Sequence, residues 1–318
     1  MTAERYPTIS VVMPTYNGES HLRAALDSLE SQKPSGVPFE VLVSDDGSSD
    51  ATLHILKEAT ERLPLRVIDG PRKRNWVAST NALLREARGE YVTMLHQDDI
   101  YFPERFAELA STAAAYPNIS VFSHPTRFIN SAGRAVGTWK PPMPTGKRLS
   151  PHMWFPPLMV QNNFAVPAMM FRRRLSDELG DMDETLPYTA DWEYWLRFAA
   201  SERIFILPKP LAGFRIHGAS QTVAFAEKAD EYERNLREVV VRSERTASRL
   251  NLKKRYIEMA RFGVDVNLWL AAKASGRSFP VSKVLGGVFD VGLPGAFSYI
   301  SLSRMIPRSL ARLRAGRS

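Results

Sequence analysis

Two stretches of the chain decide its fold: residues 8–18, TISVVMPTYNG, and residues 39–52, FEVLVSDDGSSDAT. Each is a short run of β-branched and aliphatic residues that ends abruptly in polar residues. Between the two runs, apolar side chains recur at helical spacing: Leu22, Ala25, Leu26 and Leu29. This pattern predicts a strand–helix–strand unit with parallel strands.

The alternation of strands and helices continues along the chain. A second helix is predicted to begin at Ser49 or Asp50, and later strands at 65–68 and 91–95 enclose a helix at 77–87. Short strands are predicted between residues 119 and 136, and residues 137–168 are rich in proline. Beyond Thr222 we predict long helices at 224–250 and 252–275, an apolar stretch at 284–302 and an arginine-rich tail. The fold class is therefore α/β, a mostly parallel mixed sheet flanked by helices with a helical C-terminal extension.

Composition excludes several classes of protein. None of the 318 residues is cysteine, which excludes disulfide scaffolds, thiolate zinc sites, iron–sulfur clusters and cysteine nucleophiles. With 44% hydrophobic and 24% charged residues, the chain is a globular protein with a sizeable core. The first residues lack the pattern of a secretory signal, so we expect a cytoplasmic protein.

The net charge of +8 is distributed unevenly. Residues 223–318 hold 18 Lys and Arg against 9 Asp and Glu, so the first two thirds of the chain are nearly neutral. We therefore predict a catalytic domain at 1–222 and a basic helical region at 223–318. The basic region lacks interleaved aromatic residues for base stacking, which argues against a nucleic-acid partner.

Polar residues follow three of the predicted strands. They are Pro14-Thr15-Tyr16-Asn17, then Asp45-Asp46-Gly47-Ser48, then Gln97-Asp98-Asp99. In open α/β sheets ligands bind beyond the carboxyl ends of the strands, so we expect these residues to form one polar pocket. Neither the dinucleotide-binding glycine motif nor the P-loop motif follows the first strand. Adjacent carboxylates without a glycine loop predict a diphosphate held through Mg²⁺ or Mn²⁺.

Five motifs in this order make the chain resemble glycosyltransferase family 2, the inverting nucleotide-sugar enzymes of the GT-A fold. The resemblance covers about residues 8–222. The motifs are SVVMPTYNGE near the start, VSDDGSSDAT after the second strand, ARGEYVTMLHQDD at the fourth strand, ADWEYWLR at 190–197 and FRIHGASQT at 214–222.

The resemblance implies a role for each site residue. The nucleobase and ribose of the donor would lie against Pro14, Thr15, Tyr16, Asn17 and a carboxylate of the pair Asp45 and Asp46. Asp98 would face the ribose or sugar, and Asp99 would bind the metal that bridges the diphosphate. His217 would contact the metal or diphosphate from the opposite side. Asp191 would be the catalytic base that takes the proton of the acceptor hydroxyl.

The sequence departs from the family's pattern at some positions. His96 stands at the first aspartate position of the family's D-x-D-D segment, and Ala190 replaces the usual acidic residue before Asp191. Thr80 stands where many relatives carry an arginine. Asp191 also fits a helix N-cap without any catalytic role. Two tryptophans of the proline-rich stretch are candidates for the acceptor site: Trp139 and Trp154.

The implied activity is transfer of a sugar from a nucleoside-diphosphate sugar to a hydroxyl acceptor, a glycan or lipid-linked glycan of the cell envelope. Two alternatives stay open. A sugar nucleotidylyltransferase shares the α/β sheet and Mg²⁺, but it needs a basic, glycine-rich loop that Pro14-Thr15-Tyr16-Asn17-Gly18 does not provide. A catalytically degenerate binding protein is suggested by His96 and Ala190.

The C-terminal region suggests attachment to a membrane surface. Residues 284–302, VLGGVFDVGLPGAFSYISL, contain one ionisable group near neutrality, Asp290, and are followed by arginines 304, 308, 312, 314 and 317. Four glycines, Pro294 and Asp290 make a spanning helix unfavourable. We expect the segment to lie in the interface of an anionic membrane, on its cytoplasmic face, or else to pack on the catalytic domain.

Overall fold

The structure is a computed structural model that describes residues 8–217 and 228–316. The strands, in chain order, are β1 Ile9–Thr15, β2 Phe39–Asp45, β3 Leu65–Ile68, β4 Tyr91–Met94, β5 Ile100–Tyr101, β6 Val121–Ser123, β7 Thr126–Ile129, β8 Ala135–Trp139, β9 Lys147–Leu149, β10 Met169–Arg172, β11 Ile204–Ile206 and β12 Ala212–Arg215. The helices are α1 Leu22–Glu30, α2 Thr52–Ala59, α3 Trp76–Glu86, α4 Arg105–Ala115, α5 Pro151–Val160, α6 Arg174–Leu179, α7 Ala190–Ser201, α8 Ala229–Arg249, α9 Lys254–Ala274, α10 Val281–Ser303 and α11 Met305–Ala315.

Two sheets organise the chain. The large sheet has the strand order β3-β2-β1-β4-β10-β6-β11-β9, and the small sheet has the order β5-β12-β7-β8. Strands β3, β2, β1 and β4 are parallel neighbours, whereas β10 is antiparallel to both β4 and β6. The predicted mostly parallel, mixed sheet is thereby confirmed.

Buried side chains of β1 alternate between the two faces of the large sheet. Val11 and Met13 join a core with α1, α2 and α4, whereas Val12 joins a larger core with α3, α5 and α7. This period of two is what a strand covered by helices on both faces requires. The larger core also takes in Leu236 and Val264 from the C-terminal helices.

The C-terminal helices pack on the catalytic domain at several points. Asn267 of α9 donates a hydrogen bond to Gln161 (2.9 Å), and Arg242 of α8 pairs with Asp183 (2.8 Å). Tyr299 of α10 is buried with its ring 5.0 Å from that of Phe262. The predicted boundary between residues 222 and 223 lies outside the described residues.

The parallel strands lie close to their predicted positions, and the largest differences concern the ends of the chain and the proline-rich stretch. The helix predicted at 224–250 begins at Ala229, with Lys228 at the N-cap position, and residues 224–227 lie outside the described part. The arginine-rich tail is a helix, α11, as far as residue 315. The proline-rich stretch contains α5, which begins at Pro151, a position where proline fits because its missing N–H is not needed.

We predict that Gly137→Val lowers the free energy of unfolding by about 1 to 3 kcal/mol, because the added side chain overpacks the contact between β8 and α11. A Cβ at Gly137 would lie 2.9 Å from the Cβ of Ala311. Urea denaturation of the full chain measures the change. Gly286→Ala is the matched control: it lies in a helix with open space around it and should be neutral or stabilising. Equal stability of both variants would contradict close packing of α11.

Candidate active site

The loops after β1 and β2 form one hydrogen-bonded unit at the carboxyl edge of the large sheet. The side chain of Asn17 accepts a hydrogen bond from the backbone N–H of Ser49 (2.9 Å), and the backbone N–H of Asn17 donates to the hydroxyl of Ser48 (2.8 Å). Asn17 has a positive φ of 45°, which asparagine tolerates better than most residues. The predicted donor segment Pro14–Asn17 therefore has a fixed shape.

The two carboxylates after β2 have different surroundings. The side chain of Asp45 closes its own turn, accepting hydrogen bonds from the hydroxyl of Thr15 (3.2 Å) and the backbone N–H groups of Gly47 (3.1 Å) and Ser48 (2.9 Å). Asp46 accepts a hydrogen bond from the backbone N–H of Asn75 (2.8 Å). Both acidic side chains thus shape the loops that the predicted nucleoside site needs.

Tyr16 presents an aromatic ring to solvent at this edge. Its side chain is more than a third exposed, and the guanidinium of Arg74 lies 5.3 Å from the ring centre. Its backbone exchanges two hydrogen bonds with the side-chain amide of Gln97 (2.9 and 3.0 Å), which joins the loop after β1 to the loop after β4. A Cβ at Gly18 would approach Oε1 of Gln97 to 2.4 Å, so a larger residue there would displace the Gln97 side chain.

Asp98 and His217 meet at the end of β4. The Nε2 atom of His217 lies 2.9 Å from Oδ2 of Asp98, and the two side chains are 14% and 26% exposed, respectively. Burial would raise the pKa of Asp98, but the hydrogen bond from His217 and the charges of His96 and His217 hold it below its usual range. The ionised carboxylate and the imidazole nitrogen are partly open to solvent.

Asp99 points away from solvent. It is 1% exposed, and its Oδ1 atom accepts a hydrogen bond from the backbone N–H of Arg215 (2.9 Å). Its Oδ2 atom has no hydrogen-bond partner among the described residues. Burial and the neighbouring charge of Asp98 raise its pKa well above the usual range. The metal role that the resemblance gives to Asp99 is thus less favoured by geometry than the same role for Asp98.

His96 occupies the first aspartate position of the family's segment and is half-buried beside Trp76, with ring centres 5.1 Å apart. Burial lowers its pKa, and the nearby charge of Asp98 opposes this shift. Within the described residues no group of three or more His, Cys, Asp or Glu side chains is placed to hold a metal ion. Asp98 and His217 supply two potential ligand side chains, fewer than such a group has.

Asp191 lies in the first turn of α7, one residue after the helix begins. The N-cap position belongs to Thr189, so the interpretation of Asp191 as a simple N-cap is wrong. The side-chain amide of Asn162 donates a hydrogen bond to its Oδ2 atom (2.8 Å). Burial raises the pKa of Asp191 to about 6, despite opposing contributions from Asn162 and Arg308. A carboxylate with this pKa is ionised at neutral pH yet basic enough to accept a proton.

Arg308 of α11 was not identified from the sequence, and it lies beside the predicted base. Its guanidinium donates a hydrogen bond to the backbone carbonyl of Asn162 (3.3 Å) and lies 4.6 Å from the ring centre of Trp139. Burial and the nearby charge of Arg312 lower its pKa to about 10. The sequence signal was only an arginine in a basic tail, which does not indicate proximity to residue 191.

Neither tryptophan proposed for the acceptor site is available there. Trp154 is fully buried, and its indole N–H donates to the carbonyl of Glu202 (2.9 Å). Trp139 is also buried, stacked on Phe128 and edge-on to Phe214. Both expectations are wrong because the proline-rich stretch folds into the core rather than over the pocket.

Packed side chains connect the two halves of the site. Trp76 contacts the ring of His96 and donates its indole N–H to the carbonyl of Pro187 (2.8 Å), just before α7. On the other side, Phe214 adjoins Arg215 and contacts Trp139, which lies beneath Arg308. The carboxylates that follow β4 and Asp191 at the start of α7 are therefore held by one connected structure.

Comparisons with known proteins identify the class. The sequence profile of glycosyl transferase family 2 matches residues 10–180, and the chain belongs to this family. An uncharacterized glycosyltransferase of Rickettsia prowazekii is 25% identical over 231 residues, 71% of this chain and 70% of that protein. An uncharacterized protein of Mycobacterium tuberculosis is 30% identical over 212 residues, 66% of this chain and 59% of that protein.

Solved structures show the same fold. TarS of S. aureus, residues 1–349, superposes with a TM-score of 0.60 at 19% identity, covering 97% of this chain and 89% of that one. A complex of the same protein with UDP-GlcNAc gives 0.58 at 18% identity, with the same two coverages. The mannosyltransferase PcManGT of Pyrobaculum calidifontis, with GDP-Man and Mn²⁺, gives 0.56 at 18% identity, covering 98% and 88%. The protein is a glycosyltransferase with the GT-A fold.

We predict that Arg308→Met raises the pKa of Asp191 above about 6, because the positive charge of Arg308 favours the ionised carboxylate. A carboxyl NMR titration of the full chain, with Asp191 assigned from the Asp191→Asn variant, measures the pKa. Arg308→Lys keeps the charge and should leave the pKa near that of the parent. An unchanged pKa in Arg308→Met would show that Arg308 does not act on this carboxylate.

Proposed function

We propose that this glycosyltransferase moves a sugar from a nucleoside-diphosphate sugar to a hydroxyl group of a glycan or lipid-linked glycan, in one displacement that inverts the anomeric carbon. One observation carries the proposal. An ionised carboxylate–imidazole pair, Asp98 and His217, is connected through packed side chains to a second carboxylate, Asp191, whose pKa is raised to about 6. Similar folds hold UDP-GlcNAc and GDP-Man, which supports the class of donor.

In this proposal the donor lies along the carboxyl edge of the large sheet. Pro14, Thr15, Tyr16 and Asn17 receive the nucleoside, and the exposed ring of Tyr16 offers a stacking surface for the base. Asp45 and Asp46 hold the adjoining loop in shape, and ribose hydroxyl groups would find carboxylate acceptors there. Gln97 fixes the distance between the nucleoside loop and the metal ligands.

The side chains at the end of β4 fit a divalent cation. Asp98 offers a hard carboxylate oxygen and His217 an imidazole nitrogen, a combination that suits Mn²⁺, while the carboxylate also suits Mg²⁺. When bound, such a cation neutralises the negative charge that develops on the leaving diphosphate. We assign the ligand role to Asp98 and His217, and we assign Asp99 to holding the backbone of Arg215.

Asp191 accepts the proton of the acceptor hydroxyl as the new bond forms. The hydrogen bond from Asn162 orients one carboxylate oxygen and leaves the other for the acceptor. Similar enzymes carry an acidic residue directly before the base, but this chain has the buried Ala190 there. Alanine has no carboxylate, so it cannot share the role of Asp191. A single base of this kind fits a direct displacement rather than a covalent intermediate.

The assignment of the cation ligands predicts opposite behaviour for two adjacent residues. Asp98→Asn should weaken the Mn²⁺-dependent part of UDP or GDP binding by at least about tenfold, since an amide is a poor ligand. Asp99→Asn keeps an oxygen for the N–H of Arg215 and should retain the metal dependence. Isothermal titration with and without Mn²⁺ measures both. Loss of metal dependence in Asp99→Asn alone would instead support Asp99 as the metal ligand, as the family resemblance implies.

Asp191→Asn should lower kcat by about 10² or more while the affinity for the donor stays near that of the parent, because shape is kept and basicity is lost. In the parent, kcat/KM should fall as the pH drops through about 6, since only the ionised carboxylate accepts a proton. At pH 5 the rate should be about a tenth of its plateau. Radiolabelled sugar transfer across a pH series provides the measurement. Turnover of Asp191→Asn near the parental rate would leave Asp191 a structural residue.

A further inference from the structure

The outward side of α10 is an apolar face with no cover in the structure. Its members are spaced four residues apart and are 56 to 88% exposed: Leu285, Phe289, Leu293 and Phe297. Leu285 and Phe289 precede the kink at Gly292, and Leu293 and Phe297 follow it. Within each pair, the spacing of four residues places both side chains on one side of their helical segment. Soluble proteins rarely expose a contiguous row of bulky apolar residues, and such rows mark interaction surfaces.

The opposite side of α10 fixes this orientation. Val284, Val288 and Val291 pack with Phe262 on α9, and Tyr299 is buried beside them. A Cβ at Gly287 would approach the Phe262 ring to 2.6 Å, which shows how closely the two helices lie. The apolar face therefore cannot turn inward without breaking a packed interface.

The next helix repeats the arrangement. Ile306, Leu310 and Leu313 of α11 are all exposed and lie at positions i, i+4 and i+7 of one helix face. The inward side of α11 contacts the small sheet through Ala311 and through a hydrogen bond from Arg314 to the carbonyl of Val136 (3.4 Å). Both helices thus present an apolar outer side while being held from within.

Basic residues accompany this apolar surface. Between residues 281 and 316 the chain has five basic side chains and one acidic side chain, Asp290. Three of the basic residues are exposed: Lys283, Arg312 and Arg314. Apolar side chains bordered by cations are the pattern of a segment that lies in the interface of an anionic bilayer.

We propose that the apolar face of α10, together with the exposed side of α11, docks this enzyme on an anionic lipid bilayer and lies in its interface plane. Among the described residues, Val281–Ser303 is the one helix long and apolar enough to cross a membrane. It does not span in this proposal, because it is kinked at Gly292, carries Asp290 and Pro294, and packs along its inner side.

If the enzyme docks here, its acceptor is a lipid-linked glycan rather than a soluble one. This part of the inference rests on the proposed function. The helix whose outer side meets the bilayer carries Arg308 on its other side. Arg308 reaches the carbonyl of Asn162, and Asn162 holds Asp191. A lipid-linked acceptor would therefore be held next to the helix whose inner side contacts the surroundings of Asp191.

Liposome flotation of the full-length chain tests the docking surface. Vesicles of phosphatidylcholine alone are compared with vesicles of phosphatidylcholine and phosphatidylglycerol in equal amounts. The parent should float with the anionic vesicles, and Phe289→Glu/Phe297→Glu should reduce the partition coefficient at least about tenfold, since two apolar rings are lost. Leu53→Glu is the control, because Leu53 is an exposed apolar residue on α2, outside the proposed surface, and it should float like the parent.

The charges are tested separately. Arg312→Gln and Arg314→Gln should each weaken binding to anionic vesicles about fivefold, and raising the salt from about 0.1 M to about 1 M should release the parent. Circular dichroism melting of each variant confirms that it is folded. Phe289→Gln/Phe297→Gln replaces the double glutamate variant if that one melts early.

Three outcomes would overturn the docking proposal. The first is flotation of the double variant equal to that of the parent, and the second is no flotation of the parent. The third is a parental dimer without lipid, detected by analytical ultracentrifugation, that dissociates in the double variant and does not bind vesicles; the face would then bind a second copy. Release of nucleoside diphosphate from sugar nucleotides is measured in parallel, so that failure of docking is distinguished from failure of glycosyl transfer.

Discussion

The hydrogen bonds of Arg215 are the constraint on which the site depends. Its backbone N–H is held by the carboxylate of Asp99, and its guanidinium donates to the carbonyls of Asp98, Asn130 and Ser131. These bonds tie the end of β12 in the small sheet to the end of β4 in the large one. With its backbone fixed in this way, Asp98 can direct its carboxylate only toward the edge where His217 lies. A buried guanidinium fully supplied with acceptors is rigid, because losing any one of them leaves a charge without compensation.

Asp191, the proposed base, depends on a different set of contacts, outside the segment that the family profile matches. The profile ends at residue 180, whereas Asp191, His217 and Arg308 all lie beyond it. Asp191 takes its orientation from Asn162, and Asn162 is contacted in turn by Arg308 from the last helix. The C-terminal helices are thus part of the surroundings of Asp191. They are joined to the rest of the described chain by buried contacts as well as by sequence.

The same helices place two opposite requirements on one segment. The inner side of α10 packs against Phe262 at Gly287, and the inner side of α11 packs against the small sheet at Ala311. Both contacts need small side chains. The outer side of α10 carries Phe289 in water, where an apolar ring costs free energy unless it is covered. Because the inner side fixes the outer one, the segment has no alternative packing in which the exposed rings are buried. This is the physical reason to regard the outer side as a surface for a partner.

The sequence alone determined the alternating strands, the carboxyl-edge position of the polar loops and the family, because strand period and strand-end polarity are local properties. The tertiary structure decided which carboxylate turns outward: Asp98 and Asp99 are adjacent, and only the position of β12 makes one of them a partner of Arg215 and the other a partner of His217. It also decided that Trp139 and Trp154 are core residues and that Arg308 contacts Asn162, the hydrogen-bond partner of Asp191. These facts depend on contacts between residues more than a hundred positions apart, such as Arg308 and Asn162, and no local pattern records them.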